Sequence, residues 1–169
     1  MPLSGAMLAV SAFGELTQAL DLGTGSAKQS LSRAMSLSTG TAAGKADRIF
    51  SDRRTLAASA TEDLDLAGVL LDAFGTAITF ARIKGIVIAA AAGNANNVVV
   101  GAATNPWATL LSATGTVTLR PGAFFAAGTG VADATGYAVT ASTGDLLKVA
   151  NSGAGTSVTY DIHIIGASA

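Results

Sequence analysis

The chain has 169 residues, of which 50% are hydrophobic and only 12% are charged, with a formal net charge of −1 and no cysteine. The lack of cysteine excludes disulfides and thiolate metal sites, and the small net charge argues against a general affinity for nucleic acid. The longest apolar stretch, residues 85–103, is interrupted by Asn94, Asn96 and Asn97, whereas a membrane-spanning helix needs about 20 predominantly apolar residues.

The low charge content also bears on association. Soluble domains carry about 25% charged residues, so this chain has a weakly solvated surface. We therefore expect an assembly to cover much of that surface. The amino terminus, MPLSGAMLAVSAFG, lacks the basic start of a signal peptide, and we expect it to stay uncleaved. A cysteine-free chain also fits synthesis in a reducing cytoplasm.

Residues 1–52 are predicted to form an extended arm. The segment SLSTGTAAGKADR is small, polar and glycine-containing, which favours an extended chain or a loop. Residues 5–22 are compatible with a short helix. In 30–38 (SLSRAMSLS), apolar and polar residues alternate with a period of two, which places Leu31, Met35 and Leu37 on one face with Arg33.

Positive charge is concentrated in residues 28–54, which hold two acidic groups, Asp47 and Asp52, against six basic ones. Two interpretations stay open. The segment is either a solvated arm with ordinary charges or an arm that lies on an acidic partner surface. The basic residues are Lys28, Arg33, Lys45, Arg48, Arg53 and Arg54.

Residues 53–169 are predicted to form one antiparallel β-sandwich, jelly-roll-like, so the fold class is all-β with an N-terminal arm. Alternation in TSVTYDIHII (156–165) points Val158, Tyr160, Ile162 and Ile164 inward. Residues 64–74 contain at most a helical turn or two. Turn residues separate the strands at intervals typical of sandwiches. The predicted strands are 77–90, 96–102, 115–120, 123–127, 137–141, 145–150 and 156–166.

No group of residues predicts catalysis. His163, the only histidine, lies two residues from Asp161 on one strand face, about 7 Å away, and neither a nucleophile nor further metal ligands accompany it. The carboxylates of Glu62, Asp63 and Asp65 are typical of a solvated strand face. We expect no enzymatic activity, no cofactor and no metal.

Three aromatic residues are candidates for partner binding. Trp107, in NPWATLL, either anchors an interface or plugs the end of the sandwich. Phe124 and Phe125 are adjacent, so they point to opposite faces of a strand, and one of them faces away from the core. This pattern indicates a covered outer face and hence a subunit contact. With the six basic residues of 28–54, these aromatics form the predicted partner-binding set.

Four runs carry a resemblance to a known class of proteins: RTLAASATEDLDLAG (54–68), FARIKGIVIAAAAGNANNVVVG (80–101), LRPGAFF (119–125) and TASTGDLLKVANSGAGTSVTYDIHIIGAS (140–168). They resemble small tailed-bacteriophage virion proteins of the head decoration, or cement, type. The resemblance covers about residues 53–169. It implies a β-sandwich that oligomerises, commonly as a homotrimer, on the capsid surface of the virion. It also implies that the arm grips the major capsid protein.

Two alternatives remain open at this stage. A tail or head–tail connector subunit would share the same structural character but would form a ring. A carbohydrate-binding sandwich would need exposed aromatic side chains near a groove, and its candidates are Trp107, Tyr137 and Tyr160. None of the three interpretations involves nucleic acid or a membrane.

Overall fold

Antiparallel strands make up most of residues 3–169, the part of the chain that the computed structural model describes. Strands account for 57% of these described residues and helix for 2%, so the predicted all-β class is confirmed. The elements are β1 (Ala6–Leu20), β2 (Gly23–Thr39), β3 (Lys45–Ala46), β4 (Arg48–Leu56), β5 (Thr61–Asp65), β6 (Leu70–Leu71), β7 (Ala77–Ile78), β8 (Arg82–Ala90), β9 (Val98–Gly101), α1 (Ala108–Leu111), β10 (Thr116–Leu119), β11 (Phe124–Gly128), β12 (Tyr137–Ala138), β13 (Leu146–Asn151) and β14 (Val158–Ala167).

Two sheets enclose the main core. The front sheet has the order β11-β8-β14-β4, with β12 also paired to β8, and the back sheet has the order β10-β9-β13-β5. From one edge to the other, the front sheet runs β4-β14-β8-β11. The strands at the same four positions of the back sheet are β5-β13-β9-β10, so each front strand has a back strand that is its neighbour in the sequence. The chain therefore passes back and forth between the sheets, and the first and last strands of the front sheet, β4 and β14, pair with each other.

The core consists of the inward faces of both sheets. Val158, Tyr160, Ile162 and Ile164 of β14 are buried, as the alternation predicts. They belong to one apolar cluster with back-sheet residues such as Val149. Each fully buried side chain of this size contributes about 1.5–3 kcal/mol relative to an exposed one. This cluster is the main source of stability.

A polar cluster joins the two sheets at the edge formed by β4 and β5. The hydroxyl of Tyr160 donates to Glu62 Oε1 at 2.7 Å, and Arg54 Nε donates to Glu62 Oε2 at 2.8 Å. Burial and the neighbouring carboxylate raise the pKa of Tyr160, so its hydroxyl stays a donor. Charged side chains on edge strands oppose unwanted strand addition at this edge.

Three features differ from the sequence-based expectations. Residues 6–20 form strand β1 and not a helix, because β2 supplies hydrogen-bond partners along their whole length. The short helix α1 was not predicted. Strand β4 begins at Arg48, so residues 48–52, which the prediction assigned to the arm, belong to the front sheet.

Candidate functional site

The most unusual feature of the molecule is a long two-stranded ribbon formed by β1 and β2. Their pairing runs without interruption from Ala6↔Leu37 to Leu20↔Gly23. At about 3.4 Å per residue, this ribbon is about 50 Å long. We call residues 6–37 the arm.

The base of the arm packs on the outer face of the front sheet. A Cβ atom added at Gly85 would lie 3.2 Å from Leu8 Cδ2 and from Met35 Cε, and one added at Gly128 would lie 2.8 Å from Leu8 Cδ2. Gly85 and Gly128 are direct partners across β8 and β11. This glycine pair therefore provides the room that the arm needs to approach the sheet. A second small core forms here from Met35, Leu37, Ala46 and Ile165, with Leu3, Ala6, Leu8 and Ile49 packed against it.

Beyond this base, the arm leaves the body of the molecule. It passes the segment 128–131, where Val10 and Arg33 line a shared groove with Val131. From residue 9 to residue 34 every residue is exposed except Gly25, which is half-buried. The free part of the arm, residues 10–33, is about 40 Å long at the same rise per residue.

The two faces of the arm differ in chemistry, because residues directly opposite each other in an antiparallel pair share a face. One face carries serine and threonine, the pair Glu15↔Lys28, and few large apolar residues, chiefly Met7 and Phe13. We call it the polar face. The other face, which we call the apolar face, starts from the side chains that pack at the base and carries most of the large apolar residues of the arm. Its apolar members are Ala6, Leu8, Val10, Ala12, Leu16 and Leu20 of β1 with Ala27, Leu31, Met35 and Leu37 of β2, and its polar members are Gln18, Gln29 and Arg33.

The apolar face is exposed along the free part of the arm. Leu16 is 69% exposed and Leu31 is 57% exposed. An isolated two-stranded hairpin is at best marginally stable in water, and a contiguous exposed apolar patch marks an interaction site. The arm is therefore the best candidate for a functional surface.

The structure does not bring the six predicted basic residues together. Lys28 lies on the polar face opposite Glu15, and Arg33 lies on the apolar face opposite Val10. Lys45 is exposed on β3. The other three belong to β4, at the beginning of the sandwich. A single basic surface for an acidic partner is thus absent from this set.

The three arginines of β4 each contact a carboxylate of the same chain. Arg48 lies 3.1 Å from Asp47, Arg53 lies 2.6 Å from Asp161, and Arg54 contacts both Glu62 and Asp52. The guanidinium of Arg53 lowers the pKa of the Asp161 carboxyl. These internal partners neutralise most of the local positive charge.

The aromatic candidates divide into buried and exposed residues. Trp107 is only 3% exposed, and its Nε1 donates to the Ala138 carbonyl at 2.9 Å. Its ring meets Tyr137 edge-on, with centroids 6.1 Å apart. Trp107 therefore fills the end of the sandwich, and a partner-binding role does not fit its burial. Phe125 packs against the core, whereas Phe124 is 66% exposed on the outer face.

The outer face of the front sheet has three rows of residues across β11, β8, β14 and β4. The arm base covers the first row. The other two rows, which we call the open face, have no cover within the described chain. The rows are Gly128–Gly85–Ile165–Ile49, then Ala126–Val87–His163–Ser51, then Phe124–Ala89–Asp161–Arg53.

His163 lies on the open face between Val87 and Ser51 and is half-buried. Burial lowers the pKa of its imidazole. Asp161, its neighbour on the same face, is held by Arg53, whose Nε and Nη2 both donate to the carboxylate. The carboxylate of Asp161 is thus hydrogen-bonded to Arg53 and is not available as a partner for His163.

Within residues 3–169, no helix is long and apolar enough to cross a membrane, and no three or more histidine or acidic side chains are grouped to hold a metal ion. Comparison with protein-family models, curated proteins and solved structures yields no match to this chain.

Proposed function

We propose that this chain is a structural virion protein, a decoration (cement) subunit that binds and stabilises a phage capsid lattice. The observation that carries the proposal is the arm, a ribbon that extends about 40 Å beyond its base with one apolar face free. Such a ribbon gives a small sandwich the reach to contact neighbouring subunits of a shell.

The energetics favour a lattice over a single binding event. A free ribbon about 40 Å long and about 10 Å wide offers about 400 Å² of flat area, half of the ~800 Å² per partner that a standard interface buries. Association costs about 4–15 kcal/mol in lost freedom. One arm thus binds weakly, whereas several arms presented by one oligomer gain from high effective concentration.

The strand order supports the jelly-roll assignment made from the sequence. Each sheet contains four main strands, and the chain alternates between equivalent positions of the two sheets. Jelly rolls occur in viral capsid proteins and in lectins, so the fold alone does not separate these functions. The arm favours a role in assembly. A capsid-surface location in the virion, after synthesis in the host cytoplasm, belongs to the same proposal.

The alternatives rest on less. Of the three candidates for carbohydrate binding, Trp107 and Tyr160 are buried and Tyr137 is half-buried with its ring against Trp107. A tail or head–tail connector subunit would use the same arm, and only the partner would differ.

Co-sedimentation with empty capsids of the encoding phage, stripped of this protein, tests the proposal. A matched variant replaces residues 12–31 with Asn-Gly, which closes the ribbon after the pair Ser11↔Ser32 with a favourable two-residue turn. We expect the intact chain to sediment with the capsids and the short-arm variant to stay in solution while keeping its thermal transition. Equal sedimentation of both, or of neither, would contradict the proposal. Binding to phage tails and not to capsids would instead support the alternative of a tail or head–tail connector subunit.

A further inference from the structure

We infer that the apolar face of the arm docks on the open face of a second copy of this chain. This inference rests on the proposed function only in that the arm is treated as the element that attaches to other subunits. It adds the occupant, a second copy, and the surface that receives the arm.

A contact of the same kind already exists within the chain. At the base, Leu8 and Met35 of the apolar face pack on the outer face of the front sheet over Gly85 and Gly128. The same face then continues outward through Ala12, Leu16, Leu20, Ala27 and Leu31 with no sheet beneath it, and the uncharged residues Gly14, Gln18, Gly25 and Gln29 lie between them. The leucine side chains of the free part thus repeat the kind of contact that Leu8 makes at the base.

The same chain also carries the matching uncovered surface. On the β11 and β8 side, the open face consists of Phe124, Ala126, Val87 and Ala89, which are apolar and mostly small. Phe124 is 66% exposed there. One chain therefore presents an arm that lacks a sheet and a sheet that lacks a cover.

Charge does not oppose this contact. Arg33 is the only charged residue on the apolar face, and it lies near the base, beside Val131. The charged residues of the open face, Asp161 and Arg53, lie on the β14 and β4 side and are already paired with each other. The two apolar surfaces can therefore meet without burying an unpaired charge.

The contact joins two different surfaces, so it closes as a two-fold dimer when two copies exchange their arms reciprocally, and otherwise it closes as a larger ring or grows as a filament. In a closed ring, each copy donates one arm and receives one. The receiving surface limits the contact area: two rows across four strands measure about 14 Å by 19 Å, so each contact covers at most about 270 Å² on either side. A dimer that exchanges both arms thus buries at most about 540 Å² per chain, at the low end of interface sizes.

Solution mass by light scattering, with matched variants and no capsid present, tests the inference. Leu16→Ser with Leu31→Ser removes the two large side chains at the centre of the apolar face. Phe13→Ser is the control, because Phe13 is 68% exposed on the polar face of the same ribbon. We expect the intact chain and the Phe13 variant to form the same oligomer, and the double variant to dissociate at least tenfold more readily. A monomeric intact chain, or equal effects of both variants, would overturn the inference.

Cross-linking identifies the receiving surface. Because the chain has no cysteine of its own, only the introduced cysteines react with the maleimide. A Leu16→Cys chain is mixed with an Ala126→Cys chain and treated with a short bifunctional maleimide. We expect a covalent dimer of the two different chains, and much less product when Phe13→Cys replaces Leu16→Cys. A Leu16→Cys product with itself, and none with Ala126→Cys, would mean that arms pair with arms and would overturn the inference.

The two proposals fail separately. A monomer that sediments with capsids removes the self-docking inference and leaves the proposed function standing. A ring that forms without capsids but ignores them supports self-docking and removes the decoration role.

Discussion

Gly85 and Gly128 determine how closely the arm approaches the front sheet. Gly128→Val would place new atoms within 2.8 Å of Leu8 Cδ2 and push the base of the arm away. Overpacking of this kind costs about 1–3 kcal/mol, and we expect a lower melting temperature with faster proteolysis of the arm. Gly130→Val is the matched control, since nothing lies within 4 Å of a Cβ there. Equal melting temperatures and cleavage rates would show that the glycine is not needed.

His163 makes stability depend on pH in a defined direction. Burial lowers the pKa of the folded imidazole below its usual value of about 6.5, and the groups that face it are Ser51 and Val87, with Asp161 held by Arg53. The unfolded chain then binds the proton more readily than the folded chain. The stabilising contribution is complete above about pH 6.5 and is lost as the pH falls through the folded pKa.

The measurement is the melting temperature between pH 5 and pH 8 for the intact chain and for His163→Gln. We expect the intact chain to lose stability below about pH 6.5 and the variant to lose less over that range. Carboxylates such as Asp161, whose pKa is lowered, act only below about pH 4. Identical pH profiles for both chains would contradict the assignment.

At the scale of single elements, the buried strands were predictable and the arm was only partly so. Strands β13 and β14 match the predicted 145–150 and 156–166 closely, because one face of each is buried and alternation follows burial. The same rule placed Leu31, Met35 and Leu37 correctly on one face with Arg33. The partner strand β1 is rich in alanine and lacks a strong local strand preference, so its sequence also allowed a helix.

Strand β4 gives an element-scale prediction, because it begins before the predicted end of the arm. Deleting residues 1–46 removes the arm and β3 but keeps the main core, whereas deleting residues 1–52 also removes Phe50 and half of the pairing with β14. Loss of a buried phenylalanine side chain costs about 3–5 kcal/mol. We expect the first variant to fold and the second to be unfolded or strongly destabilised in chemical denaturation. Equal stability of the two would contradict the assignment of β4 to the sandwich.

Contacts between distant parts of the chain account for what the sequence could not predict at the scale of the whole molecule. Arg53 and Asp161 are 108 positions apart, yet their pairing neutralises one of the six basic groups that made residues 28–54 appear as a basic surface. Likewise, the hydrogen bond that Trp107 donates to the Ala138 carbonyl, 31 positions away, is what identifies this side chain as filling the end of the sandwich. The residue pattern predicted which segments are strands and which side chains share a face. The side chains that pair across the fold could be identified only from the structure.

The whole molecule combines a well-packed sandwich with a ribbon that has no core of its own, so stability is expected to be uneven. A two-stranded ribbon is only marginally stable in water, and local opening is easiest where few buried contacts oppose it.

In dilute solution we therefore expect amides of residues 10–33 to exchange hydrogen rapidly while β8, β13 and β14 stay protected. At concentrations where the chain assembles, the arm should become protected because its apolar face is then covered. Hydrogen exchange followed by mass spectrometry measures both states, with the Leu16→Ser, Leu31→Ser chain as the control that stays unprotected. An arm as protected as β14 at every concentration would mean that the ribbon is stable alone and does not need a partner to order it.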